Sequence, residues 1–178
     1  MIEVEKKFRL TKRQRDTLVK RLPEIGAQLE REDFEENTLY DGEALRDQAC
    51  VLRLRRVGGR STLTFKRRLA GQSAIKQQRE DETVIEDPEA MAAILEALGF
   101  TAALVYEKRR QTWQLGQAEI VIDELPFGLF MEIEGPANAI RSVERKLGMK
   151  DLRAEHATYP QLTAKHGKRN DGLIEARF

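Results

Sequence analysis

Charged side chains recur at every second position in segment after segment of this chain. The opening stretch, MIEVEKKFRL, carries Glu3, Glu5 and Lys7 on one parity, and GLFMEIEG carries a second carboxylate pair, Glu132 and Glu134, at the same spacing. Cations alternate in the same way: Arg53 and Arg55 in VLRLRRV, Lys66 in TFKR, Lys108 and Arg110 in YEKRRQ. Residues two apart share one face of a β-strand, so each segment presents a charged side. Guanidinium forks and ammonium groups suit phosphate oxygens. Two carboxylates about 4 Å apart repel by about 4 kcal/mol at an effective dielectric near 20, so the four glutamates, if their strands are neighbours, call for a cation between them. Oxygen donors without Cys or His favour Mg²⁺ or Mn²⁺ over Zn²⁺. A metal-bound triphosphate is the ligand that these two sets describe.

Composition narrows the field. The chain has 178 residues, enough for one domain with a real core, and no apolar run long enough to span a bilayer. No secretory pattern opens it, so the expectation is a cytoplasmic protein with no membrane partner. The single cysteine, Cys50, cannot form an internal disulfide, and His156 and His166 are too few for a histidine-built metal site or a serine–histidine triad. Basic and acidic residues number 31 and 30, which gives no basic excess for coating nucleic acid; yet charged residues make up 34% of the chain, above the usual quarter. Where the charges sit matters more than their sum.

The elements that must position them follow from local signals. Thr11 with Gln14 makes a capping box for a helix that Pro23 and Gly26 end. Residues from about Gln28 to Tyr40 read as extended, with a turn at Asp41 and Gly42. Gly58 and Gly59 separate two alternating runs, the mark of a tight hairpin rather than a phosphate loop. A further strand follows a polar loop, and Asp87, Pro88 and Gly99 bracket a helix. Two strands joined at Gly116, a third after Pro126–Gly128, a helix from about Asn138 to Leu147 and a short helix over Thr158–His166 complete the pattern. The tail, residues 167–178, carries no assignment. The expectation is one α+β domain over residues 1–178.

Several strands with a polar face, and only a few helices, suggest a sheet that curls until its polar faces look inward while helices cover its apolar outside. Thr62, Thr64, Lys66 and Arg68 form one such row, and Glu119, Val121 and Asp123 another. The row Lys76, Gln78, Glu80 and Glu82 is less determined, because Arg79 and Asp81 lie opposite. Charges enclosed in a lumen are unfavourable unless paired or bound to ions, so such a tunnel needs a highly charged guest.

The motifs carry a resemblance. EVEKK is similar to the Glu-x-Glu-x-Lys signature of the CYTH superfamily, the triphosphate tunnel metalloenzymes, and LYD before LRLR, TFKR, EKRR, VIDELPFGLFMEIEG and the terminal TYPQL resemble its later motifs in order. The resemblance implies an antiparallel tunnel of about eight strands with helices outside. It implies divalent-metal binding by Glu3, Glu5, Glu132 and Glu134, and triphosphate binding by Lys7, Arg53, Arg55, Lys66, Lys108 and Arg110, with Lys76 a looser assignment. Lys7, Glu80, Glu82 and Asp123 are the expected catalytic or water-positioning groups. Lys6, Arg9, Arg67 and Arg109 read as surface charges or supporting pairs.

The implied chemistry is metal-dependent transfer at a triphosphate: water at the terminal phosphorus gives a triphosphatase, and a ribose 3′-hydroxyl at the α-phosphorus gives a class IV adenylyl cyclase. A non-catalytic polyphosphate- or nucleotide-binding module is the third alternative, weakened by four carboxylates that plain anion binding would not want. Thiamine triphosphate is disfavoured by Val51, where the thiamine triphosphatases resembled here carry an aromatic residue. Trp113 and Tyr106 could stack on a base, but a lone Trp in a strand is a packing residue first. With no adenine pocket visible, hydrolysis leads. A homodimer stays open, since no apolar helix face is clear enough to argue for one.

Overall fold

The computed structural model describes residues 2–48, 50–68, 76–148 and 152–178; the side chains at positions 2, 3, 68 and 76–78 lie outside that description. Alternation in the sequence becomes pairing in space. The strands are β1 (Ile2–Leu10), β2 (Gln28–Asp41), β3 (Cys50–Val57), β4 (Arg60–Arg68), β5 (Lys76–Ile85), β6 (Thr101–Leu115), β7 (Ala118–Leu125) and β8 (Gly128–Glu134). Antiparallel pairs run from β1 through β5, β4, β3, β2 and β6 to β7 and β8, and β8 pairs with β1 again. The β6–β7 pairing over residues 109–115 closes the ring, which is the expected tunnel of antiparallel strands in an α+β fold.

Turn chemistry sets the register. Gly58 and Gly59, at φ +51° and +82°, make the two-residue hairpin between β3 and β4, in which both central residues need positive φ. That register places Arg53 opposite Thr64 and Arg55 opposite Thr62, on one face. A bulge between Leu29 and Arg31 in β2 absorbs one residue, so that Leu29, opposite Trp113, and Arg31, opposite Thr112, fall on different faces although they are two apart in sequence.

Helices cover the outside, as expected. α1 (Lys12–Glu24) starts with the Thr11–Gln14 capping box and buries Leu18 and Leu22. Together with Ile140, Val143 and Leu147 of α4 (Ala137–Leu147), these pack on the outward residues Phe8, Trp113, Ile120, Ile122, Met131 and Ile133. Each fully buried leucine contributes about 2 kcal/mol of apolar burial. On the opposite side, Leu45 of a short helix α2 (Glu43–Asp47), which follows the turn expected at Asp41 and Gly42, and Leu95 of α3 (Pro88–Ala97) cover Leu52 and Leu54. Asp87 caps α3 through the backbone N–H groups of Glu89 and Ala90. No helix among the described residues is long and apolar enough to cross a membrane.

The third apolar cluster lies inside the ring. Leu39, Leu104, Leu125 and Phe130 point to the lumen side of their strands and pack against Tyr159 and Leu162 of α5 (Tyr159–His166). This helix stops the lumen at one end. Beyond β9 (Arg153–Ala154), which pairs with β1, the tail that had no assignment forms a hairpin of β10 (Lys168–Asn170) and β11 (Leu173–Ala176), turning at Asp171 and Gly172. β11 runs parallel to residues 104–106 of β6, the part of that strand's edge that β7 leaves open.

Candidate active site

One cavity of about 290 Å³ occupies the remaining lumen, with its walls drawn from the alternating rows. Glu5 and Lys7 come from β1, Glu132 and Glu134 from β8, Lys108 and Arg110 from β6, Arg53 and Arg55 from β3, Lys66 from β4, and Glu80 and Glu82 from β5. The structure therefore gathers these predicted side chains around one space. It also settles the undetermined row: Glu80 and Glu82 face the cavity, while Arg79 and Asp81 pair with each other at the outer surface. The side chains of Glu3 and Lys76 lie outside the described residues. Asp123, expected among the catalytic groups, is fully buried next to the cavity and is not part of its wall.

Within this wall and just behind it, three cations and three carboxylates neutralise one another. Lys7 stands 3.1 Å from Glu132, and Lys108 stands 3.2 Å from Glu35 and 3.5 Å from Asp123. Arg110 donates from Nε and Nη2 to the two Asp123 oxygens at 2.7 and 2.6 Å, and from Nη2 to Glu132 at 3.0 Å. Tyr159 donates its hydroxyl to Asp123 Oδ2 at 2.8 Å. Burial alone would push each carboxyl up and each cation down; their mutual attraction reverses both. Glu35 is brought down to about 2, chiefly by Lys108 and Arg110. Asp123 is held below its ordinary value by Arg110 and Lys108, and Glu132 by Lys7 and Arg110. Glu132 and Glu5 keep Lys7 above its ordinary value, and Asp123 does the same for Arg110. For Tyr159, burial and then the Asp123 charge push the hydroxyl well up, so it remains a donor.

The wall made by β3, β4 and β5 is less committed. Arg55 pairs with Glu82 at 2.9 Å, Thr64 donates to the same carboxylate at 2.8 Å, and Lys66 pairs with Glu80 at 2.8 Å. Among the described residues Arg53 has no carboxylate within ion-pairing distance; its Nη2 reaches Thr64 Oγ1 at 3.4 Å, and its Nε is buried without a hydrogen-bond partner. A buried guanidinium N–H of that kind is an opening for an anionic acceptor.

Across the cavity, β1, β8 and β7 carry a row of carboxylates. Glu5 is the register partner of Glu134, and Glu134 that of Glu119. Among the described residues no three acidic side chains are gathered into a preformed metal cage, so this is a row across three strands rather than a closed ligand set. Its all-oxygen chemistry fits a hard divalent ion, with Glu5 and Glu134 as the pair directly opposite each other. Glu132 is at present engaged by two cations.

Residues outside the predicted set share the site. Glu35 is 2% exposed and holds Lys108, and Asn37 donates to it at 3.5 Å. Glu119 and Arg31 face each other at the cavity wall, 3.8 Å apart. Tyr106 and Tyr159 are its aromatic members, while Trp113 is packed in the outer core and cannot meet a ligand there. Lys6 and Arg109 are outside, pairing with Glu144 and stacking on Phe178 respectively.

Comparison with known proteins agrees with this architecture. The PH1012 protein from Pyrococcus horikoshii OT3 superposes with a TM-score of 0.78 at 25% identity, covering 90% of this chain and 98% of that one. A "putative adenylate cyclase" from Vibrio parahaemolyticus gives a TM-score of 0.73 at 23% identity, covering 92% and 98%. The "putative adenylyl cyclase" HpAC1 from Hippeastrum, described as revealing a dominant triphosphatase activity, gives 0.72 at 17% identity, covering 98% and 100%. No curated protein matches the chain. The family model for the CYTH domain matches residues 1–156, and the chain belongs to the CYTH family.

Proposed function

We propose that this protein is a divalent-metal-dependent hydrolase of triphosphates, inorganic triphosphate or a nucleoside triphosphate, held in the charged lumen. The observation that carries the reading is the opposition of two walls across one cavity: Arg53, Arg55 and Lys66 on one side, Glu5 and Glu134 on the other. The first wall binds phosphate oxygens and the second needs a cation, and a metal-bound polyphosphate satisfies both. HpAC1, with its dominant triphosphatase activity, supports hydrolysis in the same fold.

Glu5 and Glu134, with Glu3 and Glu132 from the sequence motif, would hold Mg²⁺ or Mn²⁺, which when bound supplies neutralisation of charge on the phosphoryl oxygens. Arg53 is the first anchor, because its Nε has no partner to surrender. Arg55 and Lys66 exchange Glu82 and Glu80 for phosphate oxygens. The two carboxylates so released face the cavity and can orient a water. The water oxygen bonds to the terminal phosphorus as the bond from that phosphorus to its bridging oxygen breaks; the bridging oxygen leaves with pyrophosphate or, from a nucleoside triphosphate, with the nucleoside diphosphate, and the water's proton passes to a glutamate and then to solvent. Asp123 acts from behind the wall by fixing Arg110.

The cyclase reading is favoured by the names of two similar structures. Against it, the cavity is at the small end for an organic ligand, and its aromatic members are occupied, Tyr159 in the ion network and Tyr106 in the apolar plug. Purified protein offered tripolyphosphate, ATP and thiamine triphosphate in turn, with Mg²⁺ or Mn²⁺, should release phosphate from tripolyphosphate or ATP and little from thiamine triphosphate. Cyclic AMP with pyrophosphate from ATP would replace this reading with the cyclase, and binding without turnover would replace it with the non-catalytic module.

A further inference from the structure

Tyr159 lies just beyond the stretch matched by the family model, and both its ring and its hydroxyl meet the ion network. Its ring lies under the Lys7 ammonium, 3.9 Å from Nζ to the centroid, and 5.4 Å from Lys108 Nζ. Its hydroxyl reaches Asp123 Oδ2 at 2.8 Å, the oxygen that also accepts from Arg110 Nη2. The helix that carries it is pinned: Thr158 and Gln161 form a reciprocal capping box, and the ring meets Phe130 edge-on at 5.4 Å. The adjoining chain holds Lys7 as well, since Lys7 Nζ donates to Ala157 O at 3.3 Å and Glu155 N donates to Lys7 O at 2.9 Å.

We propose that Tyr159 is a positioning residue with two separable parts, a ring that seats the Lys7 ammonium and a hydroxyl that fixes Asp123 and, through it, the guanidinium of Arg110; the proposal rests on the triphosphate reading above. Arg110 spends Nε and Nη2 on Asp123 and Glu132, and among the described residues Nη1 takes no hydrogen bond. The direction in which that free edge points is set by where Asp123 stands, and Asp123 is fixed by Tyr159. A cation over an aromatic face is attracted to it while keeping its N–H groups for oxygen acceptors, so the ring holds Lys7 without consuming its donors. The hydroxyl itself is committed to Asp123, so Tyr159 acts through its neighbours.

The test compares Tyr159→Phe, which keeps the ring, with Tyr159→Leu, which removes it. Tripolyphosphate binding is read by calorimetry in the absence of metal, and turnover by phosphate release with Mg²⁺. The Phe variant should bind within twofold of wild type while kcat falls about tenfold; the Leu variant should bind at least tenfold more weakly. A Phe variant with wild-type kcat overturns the hydroxyl's part, and a Leu variant that binds as tightly as Phe overturns the ring's. If Leu does not fold, fluorinated phenylalanine at position 159 keeps the shape while draining the ring's negative face, and unchanged binding then overturns the ring's part. Wild-type protein that binds tripolyphosphate without hydrolysing it removes the hydrolase reading and the kcat arm with it, while the calorimetric contrast still judges the ring.

Discussion

Lys7 of β1 and Glu132 of β8 stand in register and 3.1 Å apart, Lys7 almost wholly enclosed by protein. Removing one member of a buried pair leaves an uncompensated charge, at about 3–5 kcal/mol. Glu132 would keep Arg110 at 3.0 Å, which puts Lys7→Met at the lower end, about 3 kcal/mol. Thermal unfolding followed by circular dichroism should show a Tm lower by about 6–12 °C for a chain of this size. An unchanged Tm would mean that Glu132 does not depend on Lys7.

Arg53 carries the cavity's least satisfied guanidinium, so its loss should be felt in binding before stability. Arg53→Met should raise KM for tripolyphosphate by about 10- to 100-fold, the span of one charge-assisted hydrogen-bonding group at about 1.5–3 kcal/mol. Steady-state phosphate release across substrate concentrations checks it. A KM within twofold of wild type would remove Arg53 from the anion-binding wall.

Glu5 and Glu134 face each other across β1 and β8 and are the proposed metal-binding pair. Glu5→Gln should raise the Mg²⁺ concentration for half-maximal turnover at least tenfold, and Glu5→Ala should abolish metal-dependent turnover. A metal titration that superposes on wild type would exclude Glu5 as a ligand.

Much of this was legible because strand alternation is a local code: the parity of Glu5, Lys7, Arg53, Arg55 and Lys66 fixes which residues share a face before any partner strand is known. Closure then brings those faces together, so a correct parity was enough to name the wall. Glu35 escaped because REDFEEN carries acidic residues on both parities, and only pairing with β6 shows which one faces Lys108. Asp123 was placed on the right face, but whether solvent reaches a lumen residue depends on what else fills the lumen, here Arg110 and Tyr159. The terminal hairpin did have a local signal, Asp171-Gly172 with both residues at positive φ, between runs too short to show alternation.

The buried carboxylates predict an acid limit. A carboxyl held below its ordinary value stabilises the folded state above the unfolded value and ceases to do so as pH falls through the folded value. Glu35 drops from 4.5 to about 2, so its contribution, on the order of 3 kcal/mol, should be lost between those two pH values; Asp123 and Glu132, also held below their ordinary values by their cations, add to the loss as pH falls below the ordinary carboxylate range. Denaturant midpoints measured from pH 7 to pH 2 should fall in that window, and Glu35→Gln should start lower and fall less steeply. A wild-type midpoint that is flat down to pH 2 would contradict the network.

The most direct measurement is a crystal structure of the protein with tripolyphosphate and Mn²⁺, with the metal located by its anomalous signal. The phosphates should lie against Arg53, Arg55 and Lys66, with the anomalous peak between them and the carboxylates of Glu5 and Glu134. A peak on the outer surface, or phosphates bound outside the ring of strands, would contradict this placement.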